Sequence, residues 1–375
     1  MKTAPLLALL FLTNLVLGQG KFQLTLHTTD DVIKSVTINL LDNGQLQETE
    51  TYKATVNDRK VSISGNLTQP CHFAKMTIHN GEFQRYKYFS IDTGINDFNV
   101  SLKGNWLMLA DTRGTSATHR LSDVFDSIAN SFISRNTKTT INTPTADQAS
   151  KINSDMLSVI KQNPDEYRSL LQLNYVNAFD NSEKHLRTIL ETYKVLRSDL
   201  QQSALGLDLR ERVTNKLKAL EDSAKGKPVP IFTVKDLQGK PFTNASLKGE
   251  VYLIVFCAVW CVPCQEDLPK FQALYNRYKN KGLKVVYFND DDNLARWKAH
   301  VQNKRLDWIN VSERLKPQKG LIPKRFGVYA IPNYFLVNRQ GRIVYNSVAS
   351  NNRLPELETA LSSLYQTSDQ QPQKI

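Results

Sequence analysis

Residues 251–269 read VYLIVFCAVWCVPCQEDLP. Val251 to Cys257 is an unbroken run of apolar, β-branched and aromatic residues, the pattern of a strand buried on both faces. It runs into Trp260-Cys261-Val262-Pro263-Cys264, after which Leu268, Phe271, Leu274, Tyr275 and Tyr278 recur at helical spacing. A CxxC pair at the start of a helix lets both sulfurs meet within the first turn. The first sulfur is expected at the exposed end, where unpaired backbone N–H groups and the helix dipole favour its thiolate. The second, one turn in, is shielded and placed to attack a mixed disulfide. Pro263 suits this turn because a first-turn residue needs no amide donor.

Further strands are expected at 283–288, 334–337 and 343–347, with helices over 293–303 and 354–364. This alternation around a CxxC favours redox chemistry over zinc. Zinc would need a second cysteine or histidine pair, and the histidines at 27, 72, 79, 119, 185 and 300 show no ligand spacing.

The whole chain of 375 residues is too long for one ordinary core. Its formal charge of +12 permits an anionic partner without naming one; residues 228–375 hold 21 basic and 12 acidic side chains, hence +9 of it. Neither nucleic acid nor metal is expected as a partner. Four cysteines are too few for a disulfide-stapled scaffold, so cysteine chemistry must be local. Residues 1–18 read as a cleaved secretory peptide: Lys2, an apolar run from Leu6 to Val16 too short to span a bilayer, then small residues. Membrane contact is expected only if that segment stays uncleaved.

Residues 19–110 alternate with period two, as in Phe22, Leu24, Leu26 and Val36, Ile38, Leu40, and predict a small β-sandwich or meander. Cys71-His72 there reads as a packed structural pair. Residues 111–226 switch to helical periodicity, with stripes such as Leu121, Val124, Phe125, Ile128, Phe132 and Leu186, Ile189, Tyr193, Leu196, Leu200. Thr137 to Gln148 is polar and predicts a loop. Gly226-Lys227-Pro228-Val229-Pro230 breaks the helical pattern and opens the last domain, 227–375.

FCAVWCVPCQEDLP (256–269) resembles the active-site segment of the TlpA/ResA family of exported thiol–disulfide oxidoreductases, whose carboxy-terminal domain is thioredoxin-like and of the AhpC/TSA type. The resemblance spans about residues 228–365 and implies an α/β thioredoxin fold there. Pro228 to Phe232 and Lys248 to Val251 are similar to that family's opening hairpin and first central strand. Tyr329-Ala-Ile-Pro332-Asn-Tyr-Phe-Leu-Val is similar to the stretch carrying its cis-proline, which implies a cis Pro332 and Ile331 backbone groups facing Cys261. The chain departs from the family at Cys257, commonly aromatic, and at Asp267, commonly Glu. Asp267 then stands where the acid assisting proton movement at Cys264 is expected, or else is a helix-surface charge. Cys257 reads as a buried, inert thiol. The β-rich region followed by helices also resembles the layout of two-domain members from Gram-negative bacteria, which implies a periplasmic or cell-envelope location.

The resemblance implies an enzyme that needs no cofactor beyond its own Cys261–Cys264 disulfide. It exchanges disulfides with protein substrates and is recharged by an upstream thiol donor, with Trp260, Ile331 and Pro332 contacting substrate. Uncharged Val262 and Pro263 between the cysteines point to a reducing or mildly poised couple. The alternatives are a peroxidase on the same fold, and a non-enzymatic envelope binding or scaffold protein. The first would show a lone cysteine in a Pro/Thr-rich loop, and none is found.

Overall fold

The structure, a computed structural model, describes residues 20–41, 47–79, 83–104, 106–111, 117–131, 145–177, 180–315, 319–348, 350 and 352–369. The expected secretory peptide lies outside them. The chain divides into two compact units, one comprising 1–179 and 189–210, the other 180–188 and 211–375.

The first unit begins with eight strands: β1 (Gly20–Thr28), β2 (Ser35–Leu41), β3 (Glu48–Thr55), β4 (Lys60–Leu67), β5 (Cys71–His79), β6 (Gln84–Asp92), β7 (Gly94–Lys103) and β8 (Trp106–Asp111). They form two four-stranded sheets, ordered β4-β1-β7-β8 and β3-β2-β5-β6. Alternate residues from both sheets, among them Phe22, Leu24, Ile38, Leu40, Ile63, Met76 and Phe98, share one core, as a sandwich requires. His72 is buried and satisfied locally, its ring nitrogens 3.3 Å from the Leu41 carbonyl and 3.1 Å from the Thr68 hydroxyl, which makes the Cys71-His72 pair structural.

Along the chain helices follow: α1 (Ala117–Asn130), α2 (Ala146–Gln162), α3 (Tyr167–Val176), α4 (Glu183–Val195), α5 (Ser198–Gln202) and α6 (Ala204–Asp222), of which residues 183–188 of α4 and 211–222 of α6 belong to the second unit. Helix α2 starts inside the stretch expected to be loop through Gln148. The Gln148 amide donates to Thr145 Oγ1 (3.3 Å) and the Thr145 amide to Gln148 Oε1 (2.9 Å), a reciprocal cap that satisfies two amide donors at the helix start. Of the expected α1 stripe, Leu121 and Phe125 are buried, Val124 is exposed, and Phe132 lies outside the described residues.

The second unit holds β9 (Thr233–Asp236), β10 (Pro241–Thr243), β11 (Tyr252–Cys257), α7 (Val262–Tyr278), β12 (Lys284–Asn289), α8 (Leu294–Asn303), β13 (Ile309–Ser312), α9 (Ile322–Arg325), β14 (Asn333–Val337), β15 (Ile343–Asn346) and α10 (Arg353–Asp369). The strands form one mixed sheet, β10-β9-β13-β12-β11-β14-β15. The hairpin expected at Pro228–Phe232 lies later, at β9–β10, while Pro228 bridges Arg342.

β11 lies inside the sheet, parallel to β12 and antiparallel to β14, and every one of its residues is buried. Leu253, Val255 and Cys257 pack with Leu268, Phe271 and Leu274 of α7 and with Leu357 and Leu361 of α10. Tyr252, Ile254 and Phe256 enter the core on the opposite face with Phe288, Phe326 and Phe335. Two apolar faces explain the unalternating sequence of this strand. They also fix where it ends, so Cys261 emerges at the carboxyl edge of the sheet, where α/β folds place their sites.

Candidate active site

β11 delivers the chain to Cys261, which is the N-cap of α7, with Pro263 in its first turn. Cys261 and Cys264 are joined by a disulfide with a Cα–Cα separation of 5.2 Å. The Cys264 amide donates to Cys261 Sγ at 3.2 Å, so an otherwise unpaired helix-start donor points at the first sulfur, where it would favour a thiolate. Cys261 was expected at an exposed end, yet it is only 4% exposed, and Cys264 1%. The disulfide holds the first sulfur down on the helix, beneath a rim that includes the exposed side chains of Trp260 and Val262.

The Ile331–Pro332 peptide bond is cis, and the Ile331 carbonyl oxygen lies 3.7 Å from Cys261 Sγ. Asn333, buried just beyond it, holds this loop: its amide donates to the Ala330 carbonyl, and its Oδ1 accepts from Ser347 Oγ at 2.8 Å. Cys261 opens on a cavity of about 490 Å³ lined by Trp260 and Val262 on the helix side and by Tyr329 and Ile331 from this loop. Trp260, Cys261 and Ile331, all read as site residues, therefore face one space.

Two acids of this site escaped the sequence reading. The run Asn289-Asp290-Asp291-Asp292 begins at the end of β12, at the sheet edge where Cys261 emerges. Asp291 is 1% exposed; its Oδ2 accepts the Val259 amide at 2.7 Å and its Oδ1 accepts Arg296 Nε at 3.0 Å, with Arg296 Nη2 on the same oxygen. It ties down the backbone two residues before Cys261. Asp290 lines the cavity with Lys324, and its own carbonyl accepts Trp260 Nε1 at 3.2 Å. Burial, then the nearby Glu313 and Asp291, push its carboxyl up to about 6, against the pull of Lys324. The available signal was an acidic run closing a central strand.

That shift has a sign for stability. A carboxyl that holds its proton more tightly folded than unfolded costs stability as pH rises from about 4 to about 6, and the cost stays constant above that. Asp290→Asn is expected to remove this slope and to raise stability at pH 7 by about 1 kcal/mol, a figure reduced for partial solvent access. Urea denaturation at pH 3.5 and pH 7 reads it; equal gains at both pH values would detach the effect from ionisation.

Asp267, half-buried on α7, accepts the Tyr334 hydroxyl at 3.2 Å, and among the described residues no hydrogen bond joins it to Cys264. It also acts on Cys257: burial pushes that thiol up to about 12, the Tyr287 hydroxyl opposes this, and the Asp267 charge adds to it. Cys257 and Cys71 are both buried and neither is in a disulfide. Among the described residues no group of three or more His, Cys, Asp or Glu is arranged to hold a metal ion, and no helix is long and apolar enough to cross a membrane.

The Redoxin family profile matches residues 224–361. The chain is 28% identical over 152 residues to the thiol-disulfide oxidoreductase ResA of Bacillus cereus, covering 40% of this chain and 84% of that protein. It is 33% identical over 119 residues to ResA of Bacillus anthracis, covering 32% of this chain and 66% of the relative's own length. Among solved structures, the thioredoxin domain of a thiol-disulfide oxidoreductase from Bacteroides vulgatus matches at 24% identity and a TM-score of 0.33, covering 37% of this chain and 96% of that one.

Proposed function

We propose, from a chain whose residues 224–361 form a Redoxin domain of the TlpA/ResA thiol–disulfide oxidoreductase type, that this protein is an exported reductant of protein disulfides. The observation that carries the reading is the Cys261–Cys264 disulfide at the start of α7 with the Ile331 carbonyl beside its first sulfur. In the reduced protein the Cys261 thiolate attacks a substrate disulfide, forming a mixed disulfide and expelling one substrate thiolate. The Cys264 thiolate then attacks Cys261 Sγ, closing the pair and releasing the second substrate thiolate. Two electrons pass to the substrate, and an upstream dithiol restores the pair. The open edge at Ile331 suits a substrate backbone laid alongside it as a short added strand.

The reducing direction rests on the residues between the cysteines. Val262 and Pro263 bring no charge or imidazole to stabilise the Cys261 thiolate, which favours a potential nearer the about −270 mV of thioredoxin than the about −120 mV of a strong oxidant. Export rests on the apolar run and small residues of Met1 to Gly20, and a periplasmic or cell-envelope location in a Gram-negative bacterium on the resemblance of the β-rich region followed by helices to two-domain members of the family. The deciding experiment is capture with Cys264→Ser, which retains attack and lacks release. Mixed disulfides through Cys261 to envelope proteins are expected; a variant that captures no protein chain would overturn the reading.

Asp267 is a proton acceptor for Cys264 in this scheme, acting through a water, since its direct partner is Tyr334. Asp267→Asn is expected to slow release of substrate severalfold and to move its pH dependence upward, with the first attack nearly unaltered. Stopped-flow measurement of both steps checks this, and superimposable pH–rate profiles would leave Asp267 a positioning charge.

A further inference from the structure

The first unit holds a buried cationic site that the redox chemistry does not use. Arg168 on α3 is 2% exposed. Its guanidinium carbon lies 4.8 Å from the Phe73 ring centre and 4.9 Å from that of Phe125. Arg168 Nε donates to Ser122 Oγ at 2.9 Å and Nη1 to Gln172 Oε1 at 2.8 Å, both neutral acceptors. Among the described residues no carboxylate is hydrogen-bonded to it, and Nη2 has no hydrogen bond. Asp126 and Asp92 act on it only through space, and Asp126 is itself engaged by Lys87 at 3.1 Å. Burial lowers the Arg168 pKa to about 10, so the group remains a cation at neutral pH.

A desolvated charge without a bonded counter-ion is costly, and a fold normally pairs it or uses it. Arg168 lines a cavity of about 360 Å³, within the size range of ligand pockets. The rest of that lining is mainly apolar and aromatic, with Phe89, Phe98, Leu109 and Met156 among its walls. A planar guanidinium fork set in an apolar cavity matches a carboxylate on an apolar body. Asp123 and Asp126 on the same wall disfavour a doubly charged phosphate, leaving a singly charged acid as the better fit.

We propose that this cavity binds an amphipathic monocarboxylate, its carboxylate held by Arg168 and its apolar body among the phenylalanines. Such an acid comes either from lipid, as a fatty acid, or from a small aromatic metabolite. Calorimetric titration of the full-length chain with decanoate and with 3-phenylpropionate distinguishes the two. Saturable one-to-one binding of at least one acid is expected, with the source set by which binds more tightly. Decanol, apolar but uncharged, should bind at least tenfold more weakly than decanoate, and Arg168→Met should weaken the preferred acid at least tenfold. Because removing a buried side chain risks the fold itself, Ala129→Trp adds bulk at an exposed edge of the same cavity; it should weaken that acid similarly without changing disulfide exchange. Saturable binding of neither acid, equal affinity for decanoate and decanol, or undiminished affinity in both variants overturns the proposal.

Discussion

Cys261→Ser is expected to lower disulfide exchange by more than about a thousandfold, the scale on which removing a covalent nucleophile acts. A serine hydroxyl does not ionise near neutral pH, and the Cys264 amide that points at Sγ then has no thiolate to stabilise. Cys264 does not substitute for it, because it lies three residues along, in the first turn of α7, and, unlike Cys261, does not line the cavity that a substrate would enter. Reduction of a protein disulfide by pre-reduced protein is the measurement. The Cys261→Ser chain should be nearly inert and form no mixed disulfide, in contrast to Cys264→Ser. Substantial activity in Cys261→Ser would move the nucleophile elsewhere and overturn the assignment.

The second large effect is expected at a residue that never meets substrate. Asp291→Ala removes the acceptor of the Val259 amide and the partner of Arg296 together. The lost buried bonds are expected to cost about 2–4 kcal/mol; the half-exposed Arg296 regains water and keeps the figure below that of a fully buried pair. Urea denaturation reads the stability. Below the unfolding midpoint, the attack rate of Cys261 should also fall about tenfold, because the segment leading into the CxxC loses its tether. Asp291→Asn, which keeps an acceptor, should recover part of that rate. A stability loss with an unchanged attack rate would make Asp291 a purely structural group.

The redox core was readable because its signals are local. The apolar run of β11, the CxxC and the following helical repeat lie within residues 251–278, and each needs only chain periodicity to interpret. The Ile331–Pro332 geometry came from resemblance to known proteins, since no periodicity distinguishes a cis from a trans proline. What escaped depends on distant partners. Asp291 acquires its meaning from Val259, 32 residues earlier, and Asp290 from a cavity shared with Lys324. β13 went unread because it is four residues long and carries no alternation of its own; it is a strand through pairing with β12 and β9. The buried position of Cys261 likewise follows from the closed disulfide and its surroundings, which spacing alone does not convey.

Cys257 lies four residues upstream of the nucleophile, at the end of the strand that carries it. A third reactive thiol so close would act as a short circuit, drawing the mixed disulfide into dead-end isomers and letting charge leak from the pair. Burial on the α7 side of the sheet, and a thiol pushed up to about 12, serve as insulation around the wire. On the proposed reading the reduced chain carries four thiols but delivers electrons only in pairs, one pair per chain per turnover.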